Sequence, residues 1–319
     1  MIRLIHYRHG GRRQWGVVFG DAIVPLDGDY ETTADVVTSG LQRARTLTSR
    51  QPSVPLGQVT LLSPVTPNQQ FICQGINYAS HVRESGMDPA QITFNTIFTK
   101  ASSAICPADA DIVRPARHTL LDYEIELGLV MARKVDRPVD VTMENLHEWF
   151  AGITIVNDVT ARDVQLPQGQ FYKGKSFRGF GPVGPYLVAL EPHEWRRLLD
   201  LRMQLDVNGS TRQHAYCREM IYRPDETLSE LSRLQDLGPG DLIATGTPGG
   251  CAARAPSKMV ALLARVLMSE RGKWAAFVRK GRRNGRYLKA GDTMSLSIRT
   301  DDGAIDLGQQ RCRVVEATA

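Results

Sequence analysis

The sequence predicts a strand-dominated α+β fold, and two observations support this. From Phe71 onward, short apolar runs of β type follow one another between Gly and Pro turns, as in FICQGIN, AGITIVND and DTMSLSIR. Helical patterns between them are few, whereas a doubly wound sheet would alternate its strands with long helices. The 319 residues, 42% of them hydrophobic, are enough for one large domain and one small one.

The first 66 residues predict a small β-rich N-terminal domain. Apolar runs alternate there with Gly and Asp turns, as in IRLIHY, QWGVVF and AIVPL. The stretch PVTPNQQ indicates a connector to a larger domain over residues 67–319. The N-terminus has no apolar core of a signal peptide, and no run of about 18 apolar residues occurs, so we expect a cytoplasmic protein.

Cysteine use and charge exclude some classes of protein. The five cysteines are scattered and form no C-x-x-C pair, which argues against a disulfide framework or a zinc site built on cysteine. The net charge is +5, but residues 252–291 hold eleven Lys or Arg against one acid. That segment therefore carries +10 and the rest of the chain −5. A basic balance confined to one segment weakens a nucleic-acid interpretation.

Two glutamates in DYEIELGLVM form the first candidate site. If this run is a strand, Glu124 and Glu126 point to one face and the apolar residues to the other. Their Cα atoms would lie about 7 Å apart, so the two carboxylates could bind one hard cation. The alternative is a half-exposed strand with a solvated acidic face.

A second candidate site follows the apolar run ITIV. Asp158 comes at the end of that run, and Arg162 and Gln165 share its face if a helical turn begins there. A carboxylate at a strand end could complete an oxygen-ligand set with the two glutamates, of the kind that suits Mg²⁺. The alternative is an Asp helix cap followed by a solvated Arg.

Three further segments carry candidate residues. In GINYASHVRESG, His81 and Glu84 have the i, i+3 spacing of side chains in contact on a helix, and a carboxylate beside an imidazole favours proton transfer near neutral pH. The alternative is an ordinary surface pair. Lys175 lies in a Gly-rich stretch, where it could stabilise an anion. Thr245 and Thr247 lie among the glycines of DLIATGTPGG, whose hydroxyl and N–H groups could cradle one.

These segments occur in a fixed order. G-x-N-Y-x-x-H is followed by F-x-K-x-x-S, D-Y-E-x-E-L, N-D-x-x-x-R-D-x-Q, G-K-S-F and G-D-x-I-x-T-G-T-P-x-G. Together they resemble the fumarylacetoacetate hydrolase family over about residues 71–250, and the resemblance resumes at YLKAGDTMSLSI. It implies that family's mixed β-sandwich roll in a usually dimeric protein, with residues 67–319 as the catalytic, metal-binding domain.

The resemblance also implies roles for individual residues. The implied metal ligands are Glu124, Glu126 and Asp158. Mg²⁺ is the expected cation, with Mn²⁺ or Ca²⁺ as alternatives. The implied catalytic residues are His81, Glu84 and Lys175. The implied substrate-binding residues are Tyr78, Arg162, Gln165 and Thr247.

The implied activity is hydrolysis of a C–C bond in a small 2,4-dioxo, acylpyruvate-like acid through a metal-stabilised enolate. His81 and Glu84 favour hydrolysis, because such a pair could activate water. The alternatives are an oxaloacetate-type decarboxylase and a hydratase or isomerase of a 2-oxo-alkenedioate. A further alternative is a polyanion-binding or membrane-surface protein that uses the basic segment. We expect a small anionic substrate and a homodimer, and neither nucleic acid nor a membrane as partner.

One segment departs from the family pattern. About forty residues separate the G-T-P-x-G turn from the L-K-x-G-D strand, and they hold the basic segment. A stripe at Met259, Val260, Leu263, Val266 and Leu267 has helical spacing. We therefore expect residues 252–287 to form a basic helical insert near the mouth of the site, where its positive potential would steer an anionic substrate.

Overall fold

The computed structural model describes residues 1–256, 259 and 267–317. Its strands, numbered along the chain, are β1 (Ile2–His9), β2 (Arg12–Phe19), β3 (Ala22–Pro25), β4 (Val54–Pro55), β5 (Thr60–Leu62), β6 (Phe71–Gly75), β7 (Thr96–Lys100), β8 (Ile105–Cys106), β9 (Ile112–Arg114), β10 (Leu121–Asp122), β11 (Ile125–Met131), β12 (Phe150–Asn157), β13 (Thr160–Ala161), β14 (Gly181–Pro182), β15 (Tyr186–Ala189), β16 (Arg202–Val207), β17 (Ser210–Tyr216), β18 (Leu242–Ala244), β19 (Thr293–Arg299) and β20 (Asp306–Glu316).

The helices are short, and within the described ranges only the last of them exceeds eight residues. They are α1 (Thr33–Asp35), α2 (Leu41–Ala44), α3 (Ala79–Glu84), α4 (Leu146–Trp149), α5 (Arg162–Gln168), α6 (Phe171–Lys175), α7 (Pro224–Leu231) and α8 (Glu270–Gly281). A π-helical turn at Val36–Gly40 joins α1 to α2, and the longest 3₁₀ segment is Pro192–Asp200. None of the described helices is long and apolar enough to cross a membrane.

An eleven-stranded sheet runs through the molecule. Its order is β4-β3-β2-β1-β15-β12-β11-β18-β6-β7, with β5 paired to β1. β1 pairs antiparallel with β15, from Ile2 opposite Ala189 to Ile5 opposite Tyr186. Strands from both sides of residue 66 therefore share one sheet. The division into two domains at that residue stays a prediction.

The centre of this sheet is buried on both faces. Every residue of β11 and of β12 is buried, including Ile125, Leu127 and Ile155. A second sheet, in the order β17-β16-β19-β20-β9, covers one face of β11 and β12. On the other face, Val130 and Val156 pack into a second core cluster with N-terminal residues such as Val36. The predicted strand-dominated α+β class is confirmed, but the solvated acidic face considered for β11 is not found.

In the second sheet, buried and more exposed residues alternate along the strand, because only one face of this sheet is covered. In β19, Met294, Leu296 and Ile298 are buried while the residues between them are not. Val207 of β16 lies opposite Met294, so the apolar residues of neighbouring strands meet on the same face. The main hydrophobic core lies between this face and β11 and β12.

Part of the predicted insert is described. α8 begins after Ser269, whose hydroxyl accepts the N–H of Gly272, and it ends near Leu120, which lies against Gly281. Farther along, Arg286 donates to the Gly250 carbonyl at 2.6 Å. A helix within residues 252–287 is thus present. The predicted helical stripe lies outside the described residues at Val260, Leu263 and Val266.

Candidate functional site

Three carboxylates meet where β11 begins and β12 ends. Glu124 and Glu126 flank the first residue of β11, and Asp158 follows the last residue of β12. The two strands pair antiparallel, and the Asp158 N–H donates to the Glu124 carbonyl at 2.8 Å. One ligand oxygen from each carboxylate lies within 4.8 Å of the others, and all three side chains are buried.

Two lysines hold this cluster together. The Lys175 ammonium, at the end of α6, donates to Glu124 Oε2 at 2.7 Å, to Asp158 Oδ2 at 2.5 Å and to Thr160 Oγ1 at 2.9 Å. The Lys100 ammonium, at the end of β7, donates to Asp158 Oδ1 at 2.5 Å and to the Phe180 carbonyl at 2.7 Å. Each lysine therefore offsets part of the cost of burying a carboxylate.

The two glutamates have opposite electrostatic environments. Burial alone would raise the pKa of Glu124, but the charges of Arg162 and Lys175 lower it to about 2. Burial, followed by the like charges of Asp158 and Glu124, raises the pKa of Glu126 well above its ordinary value. Glu126 accepts the Gly246 N–H at 2.9 Å, from the G-T-P turn. It is therefore the carboxylate most in need of a further positive charge.

The donor set fits a hard divalent cation. Three carboxylate oxygens without sulfur or imidazole are the ligands that Mg²⁺, Mn²⁺ and Ca²⁺ prefer. The proximity on which the expected metal site depends is present, since the three groups are close enough to share one ion. Burial, followed by the like charges of Asp158 and Glu124, raises the pKa of Glu126, and a bound cation would oppose both effects.

Arg162 and Gln165 lie on α5, directly beside the cluster. The Arg162 guanidinium donates to Asp122 Oδ2 at 2.8 Å, to Gln165 Oε1 at 2.7 Å and to Glu124 Oε1. The side chains of Arg162, Gln165 and Asp122 are buried. The opposite charges of Glu124 and Asp122 outweigh burial and raise the pKa of Arg162. The predicted substrate-binding role of this pair stays a prediction, and in the structure the guanidinium orients carboxylates.

The two other predicted substrate-binding residues are also buried. The Thr247 hydroxyl donates to the Ile125 carbonyl at 2.9 Å and accepts from Gln213 at 2.8 Å. The Tyr78 hydroxyl faces the sulfur of Met203 at 3.8 Å. Both contacts are internal to the fold, so binding of substrate by these hydroxyls stays a prediction.

His81 and Glu84 lie on α3 but do not form the expected pair. Glu84 Oε2 accepts the Gly250 N–H at 2.7 Å, and its Oε1 lies 3.0 Å from Arg254. The partner of His81 Nδ1 is instead the thiol of Cys251, 3.9 Å away. The loop after β18 supplies an N–H group and a cation that compete for Glu84, which helix spacing alone did not reveal. Burial lowers the pKa of His81 and keeps its imidazole neutral at pH 7.

Two buried residues of the site were missed by the sequence reasoning. Asp122 accepts N–H groups from Ala252 at 2.7 Å and Ala253 at 3.0 Å in addition to the Arg162 bond. Lys100 is the second cation on Asp158. The alternation that grouped the two glutamates includes Asp122 and would have found it. Lys100 belongs to the F-x-K-x-x-S motif but carried no other sign of a role.

Fold and site together define a class: a strand-rich roll with a buried carboxylate cluster suited to a divalent cation. A family model described as the fumarylacetoacetate (FAA) hydrolase C-terminal domain matches residues 70–315. A second model, described as an Rv2993c-like N-terminal domain, matches residues 2–64. The chain belongs to the fumarylacetoacetate hydrolase family, as the motifs predicted.

Relatives with enzyme names support this assignment. Rat mitochondrial oxaloacetate tautomerase Fahd2a is 34% identical over 212 residues, which are 65% of this chain and 64% of that protein. The chain thus spans less than two thirds of that relative. A solved fumarylacetoacetate hydrolase from psychrophilic Exiguobacterium antarcticum is 29% identical, covers 99% of this chain and all of its own, and has a TM-score of 0.76.

A second solved structure supports the fold alone. The 5-carboxymethyl-2-hydroxymuconate delta-isomerase from Mycobacterium smegmatis is 24% identical, with a TM-score of 0.71 over 99% of this chain and 100% of its own. The prediction of an enzyme of this family is confirmed. The roles of individual residues stay predictions.

Proposed function

We propose that this chain is a divalent-metal-dependent enzyme that interconverts two tautomers or isomers of a small 2-oxo acid. It would do so by moving a proton from one atom of the substrate to another, and the substrate would carry a further carboxylate. The observation that carries the proposal is the buried cluster of Glu124, Glu126 and Asp158, with Lys175 inside it and a neutral His81 beside it. The tautomerase name of the rat relative agrees with this reaction class.

The charge balance of the buried groups favours an anionic substrate. Four carboxylates, those of the cluster and Asp122, face the cations of Lys100, Lys175 and Arg162. If all seven groups are ionised, their net charge is −1, and a bound divalent cation would change this net charge to +1. A dianionic acid would then meet a net positive site.

Glu124, Glu126 and Asp158 would hold the cation. When bound, it would supply a Lewis acid that polarises the 2-oxo and carboxylate oxygens of the substrate. The cluster's carboxylates are already oriented by their bonds to Arg162, Lys175 and the Gly246 N–H. Little reorganisation would therefore be needed to form the site.

The chain's own groups would handle the proton and the developing charge. His81 is neutral because burial lowers its pKa, so its imidazole has a free lone pair for the proton of the carbon beside the 2-oxo group. Negative charge then develops on the 2-oxo oxygen, and the Lys175 ammonium would stabilise it. Return of the proton from His81 to a different carbon or to oxygen would complete the isomerisation.

Hydrolysis of a C–C bond in an acylpyruvate-like acid is the second candidate. The solved relative with full coverage carries a hydrolase name, which favours it. Hydrolysis would use His81 to activate water, with Glu84 orienting the imidazole. In the structure Glu84 is bonded to the 250–254 loop, so this reaction would require Glu84 to change partners.

One set of assays tests both candidates. Oxaloacetate, acylpyruvates and 2-oxo-alkenedioates are followed for tautomerisation, decarboxylation, hydrolysis and hydration, with Mg²⁺ or Mn²⁺ and after chelation. We expect metal-dependent tautomerisation or isomerisation as the fastest reaction. Hydrolysis as the fastest would establish the second candidate, and undiminished rates after complete chelation would contradict the metal-dependent mechanism.

A further inference from the structure

A histidine, a glutamate and a cysteine meet beside the carboxylate cluster. His81 lies on α3, Glu124 precedes β11, and Cys251 lies in the loop after β18. A ring nitrogen, a carboxylate oxygen and the thiol sulfur all lie within 4.8 Å of one another. The sulfur and His81 Nδ1 are 3.9 Å apart.

The geometry points to a second cation site, formed by His81, Glu124 and Cys251, that binds borderline-soft ions such as Zn²⁺ or Co²⁺ rather than Mg²⁺. Zn–S and Zn–N bonds of about 2.3 and 2.0 Å at a tetrahedral angle place S and N about 3.5 Å apart, close to the observed separation. Nitrogen and sulfur ligands select Zn²⁺ and its neighbours, whereas the neighbouring all-oxygen cluster suits hard ions.

The loop that carries Cys251 is fixed in place. The preceding residue, Gly250, donates its N–H to Glu84, and its carbonyl accepts from Tyr123 at 3.2 Å and from Arg286 at 2.6 Å. A Cβ on Gly250 would meet the Arg212 carbonyl at 2.0 Å, so only glycine fits there. The sulfur is thus presented to the imidazole by a pre-formed backbone.

The present contacts of the sulfur are weak ones that an ion could replace. The thiol lies 3.7 Å from Gln213 Nε2 and 4.0 Å from the Pro248 carbonyl. Burial raises the pKa of the Cys251 thiol, and the charges of Asp122 and Glu124 raise it further, so the group is protonated at pH 7. Binding would form a metal–sulfur bond and release one proton to solvent, while the neutral His81 would release none.

The two cation sites should oppose each other, because they share Glu124. When Cys251 loses its proton, the net charge of the ionised buried groups changes from −1 to −2, and one divalent ion neutralises this charge. A second divalent ion would leave the buried groups at +2. A Zn²⁺ ion here would also occupy a ring nitrogen of His81, so it should inhibit the reaction. This last step rests on the proposed function, whereas the site itself does not.

Co²⁺ titration of the metal-free protein tests the site directly. We expect a thiolate-to-Co²⁺ charge-transfer band in the near ultraviolet that Cys251→Ser abolishes. Cys73→Ser is the matched control, because that buried thiol also lies near Asp158 and Glu126. Glu126→Gln should keep the band. A band that survives Cys251→Ser or disappears in Cys73→Ser would overturn the proposal, as would no band in the parent protein.

A second variant keeps the test of the site independent of Cys251→Ser folding and of activity. His81→Gln retains the thiol and should weaken Co²⁺ binding, measured from the same band, by at least about tenfold; an unchanged affinity would contradict the site. Zn²⁺ inhibition is then compared between the parent and Cys251→Ser, each relative to its own uninhibited rate. We expect the half-inhibitory concentration to rise at least about tenfold. If the parent protein shows the Co²⁺ band but Zn²⁺ does not inhibit it, the proposed inhibition is wrong while the site itself stands.

Discussion

Glu126 is held differently from the other two carboxylates of the cluster. Glu124 and Asp158 each contact basic side chains, whereas the described ion pairs include none for Glu126, whose partner is a backbone N–H. Burial and the like charges of Asp158 and Glu124 raise its pKa, and a bound cation would oppose both effects.

Glu126→Gln should therefore weaken cation binding without lowering the stability of the fold. Glutamine resembles the protonated side chain, so the melting temperature of the metal-free protein should stay the same or rise. Mn²⁺ affinity, measured by calorimetry, should fall at least about 10–100-fold, and activity should fall with it. Glu148→Gln, on an exposed part of α4, is the control for a lost charge. Mn²⁺ binding as tight as in the parent would remove Glu126 from the ligand set.

His6 gives a second prediction at the scale of one residue. Burial lowers its pKa, although the Ser63 carbonyl at 2.8 Å favours the protonated ring. The ring stacks on Trp15 with centroids 4.5 Å apart. Near pH 6.5 the unfolded chain takes up a proton that the folded chain does not. Stability is thus complete above this pH and is lost as the pH falls toward the folded pKa.

His6→Phe should remove that loss, which amounts to at most about 1.4 kcal/mol per pH unit. Because Phe cannot bond to Ser63, the comparison is the change in unfolding free energy between about pH 7.5 and pH 5, from urea titrations. His9→Phe, at the exposed end of the same strand, should keep the parent's pH dependence. Equal slopes for His6→Phe and the parent would contradict the assignment.

The sequence predicted which side chains of the site lie together where a single strand determines their relative positions. Strand alternation grouped Glu124 with Glu126, and both lie in the cluster. The approach of Asp158 depends on pairing between β11 and β12, which spacing within either strand does not encode. Its place at the end of an apolar run made Asp158 a candidate third ligand, and the family resemblance then implied that role. Helix spacing failed for His81 and Glu84, because a loop distant in sequence supplies the better partner for Glu84.

At the scale of elements, the contact between β12 and β15 depends on a glycine. A Cβ on Gly152 would meet the Val188 carbonyl at 2.6 Å, and a backbone atom cannot move aside as a side chain can. Gly152→Ala should therefore force the strands apart and cost about 1–3 kcal/mol of unfolding free energy, measured by denaturant titration.

Gly57→Ala is the matched control, because a Cβ at that position would meet no atom within 4 Å. Its effect on the unfolding free energy should stay within about 0.5 kcal/mol. If Gly152→Ala changed the unfolding free energy as little as Gly57→Ala, the close approach of β12 to β15 would not limit stability.

The N-terminal strands show why sheet order was not predictable. Apolar runs separated by turns correctly indicated β1, β2 and β3 as strands. Which strand β1 would join depends on Leu4 opposite Leu187, a pairing across more than half of the chain. Local patterns fix which residues form a strand, whereas the partners depend on packing between distant segments.

At the scale of the whole molecule, the basic segment gives a prediction about substrate capture. Arg279 and Lys280 lie in the last turn of α8, which packs against Leu120 beside the site, and Arg283 follows the helix. Replacing all three by Gln should lower kcat/KM several-fold at low salt and flatten its dependence on ionic strength, because a positive field speeds the encounter with an anion. Arg286 is left intact, since its bond to Gly250 is structural.

The matched control replaces Arg8, Arg12 and Arg13, exposed at the β1–β2 hairpin, by Gln. It removes the same charge from another part of the surface. Steering by α8 requires that this variant keep the parent's salt dependence. Identical slopes for all three proteins would show that the positive residues of α8 do not steer the substrate.

The pairing of β1 with β15 has a consequence for proteolysis and aggregation. β1 covers one edge of β15, from Tyr186 to Ala189, and these residues are largely buried. A chain cleaved in the connector near residue 66, and losing its N-terminal piece, would expose an apolar edge with unpaired N–H and C=O groups. Such an edge is a template for strands of other molecules. The N-terminal strands therefore protect the enzyme from self-association through its own sheet.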